Sequence, residues 1–189
     1  MPYEPPPELA GLSLGEVAEL VASRKLPPVD QWSPAETGDS EMRITADGRW
    51  FHQDGEIRRP AMVRAFASLL LRDESGQHWL VTPSQKLSIE VEDAAFIAID
   101  VKREGDMLVL RLNTDDLVIA GPDHPIHAEG DPQTPAIYLA VRHGTRARLN
   151  RSTYAQLVDI AIEQGGNEQG WEDDLAVQSA GVRFPLIPA

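Results

Sequence analysis

Two short stretches hold seven arginines of a chain with only 17 basic residues: Arg58, Arg59 and Arg64, then Arg142, Arg146, Arg148 and Arg151. Each stretch flanks the start of an expected helix. A helix N-terminus offers unbonded backbone amides and a partial positive charge, and a guanidinium adds a two-pronged donor that matches phosphate or carboxylate. The pattern suits capture of a small anion. Trp50 and His52 stand just before the first stretch, where either ring could stack on a base. The expected ligand-contacting set is therefore Trp50, His52, Arg58, Arg59, Arg148 and Arg151. The competing reading is that the arginines pair with Glu90, Glu92, Asp93 or other acids as salt bridges between two halves. In that reading Trp50, His52 and Trp79 are packing residues.

Other candidate chemistry is thinner. Glu90 and Glu92 fall on one face of a strand, as paired carboxylates for acid–base work or a metal would, but a solvated strand face explains them as well. Asp123, His124 and His127, with Glu129 and Asp131, put ligand-type side chains in a loop without the spacing of an established metal set. The chain has no phosphate-cradling GxxxxGK[ST] loop, no GxGxxG after a strand and no GxSxG elbow. No catalytic residue, metal ligand or cofactor is assigned.

Composition narrows the classes. The formal charge is −13, a field that disfavours nucleic acid and anionic lipid, so an anionic ligand needs a local basic pocket. Cysteine is absent, which removes disulfides and thiolate chemistry. The opening MPYEPPPELAG has neither the basic region nor the apolar run of a signal peptide, and no apolar run approaches the ~20 residues of a membrane helix. A cytoplasmic location is expected.

The elements that must position these residues are read in order. Ser13 and Glu16 form a capping box ahead of a Val17, Leu20, Val21 stripe, and Pro27-Pro28 ends that helix. Met42–Thr45 and Trp50–His52 read as strands about an Ala46-Asp47-Gly48 turn. Gln53-Asp54-Gly55 reads as a hairpin turn with Gly in positive φ. Pro60 opens a helix whose buried stripe is Met62, Phe66, Leu69 and Leu70. Seven strands then follow, at 79–81, 87–92, 96–101, 108–113, 117–120, 137–142 and 146–149. A last helix shows Tyr154, Leu157, Val158, Ala161 and Ile162 on one face, and the stretch from Gly165 onward is a tail.

The fold class expected is α+β, a two-part duplicated hairpin–helix core. Residues 1–76 would form a helix–hairpin–helix domain and residues 77–164 a seven-stranded, pleckstrin-homology-like barrel plugged by a helix. Residues 165–189 would be the tail. Gly55–Leu70 lies on Ala147–Ile162 without a gap, pairing Ile57 with Leu149, Arg59 with Arg151 and Phe66 with Val158. That match points to an internal repeat, although apolar periodicity alone forces much of it.

The order Trp32-Ser33-Pro34, MRITADGRWFH, GEIRR, WLVTP, IEVEDAAF, HPI and ARLNRSTYAQLV resembles the bacterial domain-of-unknown-function family 1285 over about residues 32–162. Ala95 departs from it, where Pro would be expected. The resemblance implies a duplicated core, a pleckstrin-homology-like C-terminal half, and a cleft between the halves for a nucleotide-like ligand with a signalling role. It carries no catalytic residues. The expected function is a non-enzymatic ligand-binding or sensor module. Its partner would be a small anionic ligand, a nucleotide for example, with no nucleic acid and no membrane. The alternatives are a protein-interaction adaptor and, more remotely, a metal-dependent hydrolase using Glu90, Glu92 and the histidine loop.

Overall fold

The structure, a computed structural model, describes Ser13, residues 24–165 and residues 175–189. The body of the helix expected between Ser13 and Lys25 lies outside the described residues. What is described is two six-stranded sheets, each with one helix, and a C-terminal hairpin.

The first sheet is built from β1 (Glu36–Ile44), β2 (Trp50–His52), β3 (Gly55–Glu56), β4 (Leu70–Arg72), β5 (His78–Val81) and β6 (Gln85–Val91), in the order β3-β2-β1-β6-β5-β4. Helix α1 (Pro60–Ala67) follows β3. The second sheet holds β7 (Phe96–Glu104), β8 (Met107–Leu112), β9 (Leu117–Ile119), β10 (Ile126–Asp131), β11 (Thr134–Ala140) and β12 (Arg146–Leu149), in the order β10-β11-β12-β7-β8-β9. Helix α2 (Arg151–Gly165) follows β12. Strands β13 (Ala176–Ser179) and β14 (Val182–Pro185) form the last hairpin.

Both sheets have one plan. Three consecutive strands form an antiparallel meander, the next three form another, and the first strand of one lies parallel to the last strand of the other. The parallel seam is β1 with β6 in the first sheet and β7 with β12 in the second. The molecule is therefore two similar sheet domains, and the duplication expected from the sequence is present. Its register is not the one read from the helices. Helix α1 leaves the third strand of its sheet, whereas α2 leaves the sixth, so Gly55–Leu70 and Ala147–Ile162 are not equivalent places. Each simply contains a strand that feeds a helix, and apolar periodicity supplied the match.

The boundary also moves. Residues 78–91 were expected in the second part, but β5 and β6 pair with β4 and β1 and complete the first sheet. The halves divide after Val91, not after residue 76. The second sheet keeps six strands and ends at β10 and β9, and no closed barrel forms among the described residues.

Local chemistry explains the turns. Asp47 accepts from Thr45 and Arg49 side chains, and Gly48 at φ +84° closes the β1–β2 turn. At the β2–β3 turn the positive φ falls on Gln53, at 53°, rather than on Gly55. The Gln53 amide reaches back to the Glu41 carbonyl at 2.8 Å, where β1 bulges, and that bond sets the turn. Asp73 accepts from the amides of Ser75 and Gln77 and from the Trp79 indole, which fixes the β4–β5 hairpin. Pro60 opens α1 as expected, but the helix stops at Ala67. Leu70 then starts β4, fully buried, while Met62 faces solvent. The inward face of α1 is Val63, Phe66 and Ala67. On α2 the fully buried positions are Thr153, Leu157 and Ala161, with Tyr154 partly buried and Ile162 exposed.

The core runs through both domains, with Ile44, Trp50, Leu70 and Ile89 on one side and Phe96, Leu110, Leu139 and Leu157 on the other. The C-terminal hairpin belongs to it. Val177 and Leu186 are fully buried, and the Ser179 hydroxyl accepts from the Leu108 amide while donating to the Ala120 carbonyl, both at 2.7 Å. No helix of the described residues is long and apolar enough to cross a membrane.

Candidate functional site: hollows between the two domains

Three contacts lock the domains together and shape the space between them. The first is a buried carboxylate. Asp116 in the second domain accepts from Arg24 Nε at 2.6 Å and from the Thr114 hydroxyl at 2.8 Å, with Arg142 at 3.4 Å and Arg64 at 3.9 Å. Burial alone would raise the Asp116 carboxyl, but the Arg142 and Arg24 charges outweigh it and hold it below its ordinary 3.8. The second contact joins β4 to the β11–β12 turn, where the Arg72 amide donates to the His143 carbonyl at 2.8 Å. Gly144 in that turn, at φ +77°, packs so closely on the Arg72 carbonyl that a Cβ has no room. The third seats the β1–β2 turn on the second sheet. Asn113 accepts from the Ile97 amide at 3.0 Å, and a Cβ on Gly48 would meet Ile97 at 2.7 Å and Asn113 at 2.9 Å.

That seated turn divides the interface into two hollows that share Asn113 as a wall. The smaller, about 270 Å³, is lined by Trp50, Glu56, Arg58, Val63 and Thr114. The larger, about 650 Å³, has Ile97, Ile99, Ala136 and Tyr154 as its apolar lining and Asp47, Arg148 and Arg151 as its charged groups. A third hollow, about 400 Å³, opens beside the β11–β12 turn, where Arg72, His127, Glu129, Tyr138 and Arg146 meet.

Asp93, on the segment that joins β6 to β7, bonds one side chain from the lining of each of the second and third hollows. Its carboxylate accepts from Arg148 Nη1 at 2.8 Å and the Tyr138 hydroxyl at 2.7 Å, with Arg146 at 4.0 Å. Arg146 lies over the Tyr138 ring, 3.8 Å from its centre, and Arg148 lies 5.9 Å from it. The three side chains share a face because Tyr138 is the register partner of Arg148, and Arg146 lies two residues before it on β12. Desolvation pushes the Asp93 carboxyl upward, but the hydrogen bonds from Arg148 and Tyr138 and the two positive charges bring it below its ordinary value.

The sequence-expected residues are thus split. Arg148 and Arg151 share the larger hollow, and Trp50 and Arg58 line the smaller. Trp50 is a core residue at 1% exposure, stacked on Phe66 with ring centres 6.4 Å apart, so it is not free to sandwich a base. His52 is exposed on β2 and lines none of these hollows. Arg58 pairs with Glu56 at 2.8 Å, and Arg59 is exposed at the N-cap of α1. Arg64 and Arg142 belong to the Asp116 cluster. The salt-bridge reading therefore accounts for Arg64, Arg142, Arg146 and Arg148, with Asp116, Asp93 and, for Arg146 at 2.8 Å, Glu129 as the acids. Glu90 and Glu92 do not join the histidine stretch: they stand at the end of β6 in the first sheet, while His127 is on β10 of the second. Glu92 closes the β1–β2 turn by accepting the Ala46 amide at 2.8 Å. Among the described residues no group of three or more His, Asp or Glu is placed to hold a metal ion.

Sequence reasoning missed Asp116, Tyr138, Asn113 and His78. His78 is buried on β5 with Nε2 unpartnered. Burial, then the Arg72 and Arg146 charges, push it down to about 4. A His inside an apolar strand, HWLV, was the available signal.

Comparison with known proteins agrees with this plan of two sheet domains. A family model described as the N-terminal domain of a domain of unknown function (DUF1285) matches residues 27–94, and the corresponding C-terminal domain matches residues 95–186. The chain belongs to the DUF1285 family. The division at 94/95 coincides with the gap between the two sheets. The crystal structure of a DUF1285 family protein from Silicibacter pomeroyi is similar at 38% identity and TM-score 0.75, over 94% of this chain and 96% of that one. A DUF1285 family protein from Shewanella baltica is similar at 23% identity and TM-score 0.52, over 62% of this chain and 90% of that one, which speaks to fold alone. No curated protein matches the chain.

Proposed function

We propose that the protein is a non-enzymatic binding module that takes a small anionic, nucleotide-like ligand in the larger hollow between its domains, as a sensor in signal transduction. The observation that carries this reading is Arg151. Its guanidinium is exposed at the mouth of the hollow, with no carboxylate in ion-pair distance among the described residues. It opens α2, whose first turn is capped by Asn150 accepting the Thr153 amide at 2.8 Å. Arg148 stands beside it, and Ile97, Ile99 and Tyr154 offer an apolar surface for a ring. The volume is within the roughly 300–1,000 Å³ typical of small-molecule sites. The second domain also places one helix after its last strand, which supports kinship with pleckstrin-homology-like modules.

The test is calorimetry and thermal shift with nucleoside monophosphates, cyclic nucleotides and sugar phosphates. Binding lost in Arg151→Ala and kept in Arg59→Ala places the ligand here. A ligand at a hundred times its dissociation constant adds about 2.7 kcal/mol of stability. The reading falls if no anion binds, or if Arg151→Ala binds as the wild type does. An adaptor role has one surface in its favour, the exposed edge strand β10, and ligand-free protein that captures an extended peptide there would favour it.

A further inference from the structure

The cradle of Arg146, Arg148 and Tyr138 is occupied by the chain's own Asp93. The Arg148 guanidinium and the Tyr138 hydroxyl bond one carboxylate, with Arg146 4.0 Å away while it pairs with Glu129 at 2.8 Å, and such convergence is what an anion-binding site shows when filled. Asp93 is not on the sheet that carries the cradle. It reaches in from the segment between the domains, next to the fully buried Ala94. Its own side chain is 17% exposed, while that of Arg148 is 45% exposed and also lines the larger hollow. Arg148 therefore pairs with one partly buried acid and also faces an open hollow. Asp93 is the only carboxylate paired with Arg148 among the described residues.

We propose that Asp93 is a built-in competitor for the anion bound in the larger hollow, and that ligand binding draws Arg148 away from it. This rests on the reading of that hollow as an anion site. The physical argument is a balance of pairs. An incoming phosphate or carboxylate gains the Arg148 fork only by sharing it or by leaving Asp93 short of one charge-assisted bond. What remains for Asp93 is the Tyr138 hydroxyl and the more distant Arg146. Affinity is thereby lowered, and the site favours anions that offer more acceptor oxygens than one carboxylate does, as a phosphate monoester can. The cost falls on the segment that joins the domains, so occupancy of the hollow is felt at that joint.

The test measures calorimetric affinity for inorganic phosphate and adenosine monophosphate at low salt. The proteins are wild type, Asp93→Asn, Tyr138→Phe and Arg148→Ala, each checked by its melting curve. Asp93→Asn keeps the shape and removes the charge, and is expected to bind adenosine monophosphate about tenfold tighter. Tyr138→Phe keeps the ring under Arg146 and loosens Asp93, with an expected gain of about twofold to threefold. Arg148→Ala is expected to bind weaker than wild type by about tenfold. A residue with a purely structural role would lower affinity when altered, so a gain separates competition from support. If Asp93→Asn and Tyr138→Phe both fold and both bind no tighter than wild type, the competitor role is overturned while the anion site stands. If neither probe binds wild type or Asp93→Asn at millimolar concentration, the anion site fails and the competitor role with it.

Discussion

Arg24 Nε donates to the buried Asp116 carboxylate at 2.6 Å across 92 positions of chain. The bond ties the N-terminal segment to the β8–β9 turn of the second domain, and Arg64 on α1 and Arg142 after β11 close around the same acid. Arg24 Nη2 and Arg142 Nε are themselves buried without a hydrogen-bond partner, so the Asp116 charge is what offsets the burial of these guanidiniums.

Asp116→Ala is expected to cost about 3–5 kcal/mol, because it strands buried guanidiniums beside an emptied site. Asp116→Asn should cost less, since its amide oxygen still accepts from Arg24 and Thr114. Urea unfolding of the three proteins checks the order. Equal stability of Asp116→Ala and wild type would mean that the cluster contributes nothing to holding the domains.

His78 gives stability a defined dependence on pH. It is buried neutral, with a folded value near 4 against an ordinary 6.5. The unfolded chain therefore takes up a proton that the folded chain refuses. Stability is highest above about 6.5, falls as pH drops from 6.5 to 4, and gains no further loss from this group below 4. The loss is on the order of 3 kcal/mol. Asp93 and Asp116 act in a separate, lower window: their stabilisation is full above 3.8 and is lost as pH falls through their lowered folded values. Chemical denaturation of wild type and His78→Gln at pH 7, 6, 5 and 4 checks this. The variant should be flatter between 6.5 and 4, and a parallel decline in both proteins would remove His78 as the cause.

Ser179→Ala is expected to destabilise by about 2–3 kcal/mol, since one hydroxyl satisfies a buried donor on β8 and a buried acceptor after β9. Thermal melting checks it. Hydrogen exchange adds a second reading: the Leu108 amide should lose protection first, because its acceptor is the group removed.

The α+β class, the strand content of residues 96–149 and the start of both described helices could be read from periodicity, turn residues and Pro60. What could not be read has physical reasons. Residues 36–41 are polar, yet residues 36–39 pair in parallel with residues 85–88 of β6, and non-local pairing leaves no local pattern. Ile126–Asp131 contains Gly130 and three acids or histidines, so it resembles a loop; only the β11 ladder makes it a strand. Val182–Pro185 needed the face of the second domain to bury Phe184. The basic junctions were legible as a set of residues, but their partition was not. Arg58 and Arg151 line hollows on either side of the β1–β2 turn, and the seating of Gly48 against Ile97 and Asn113 separates them.

The parallel seam in each sheet also sets an order of assembly during synthesis. Strand β1 cannot find its inner neighbour until β6 exists, and β7 waits in the same way for β12. A nascent chain stalled before residue 85 holds one meander, one separate two-stranded hairpin and an exposed edge along residues 36–44. Once β6 emerges, the first domain closes as a unit while the second is still being made. Each domain thus matures only when its final strand arrives, and the interval before that is when a chaperone would have an open strand to hold.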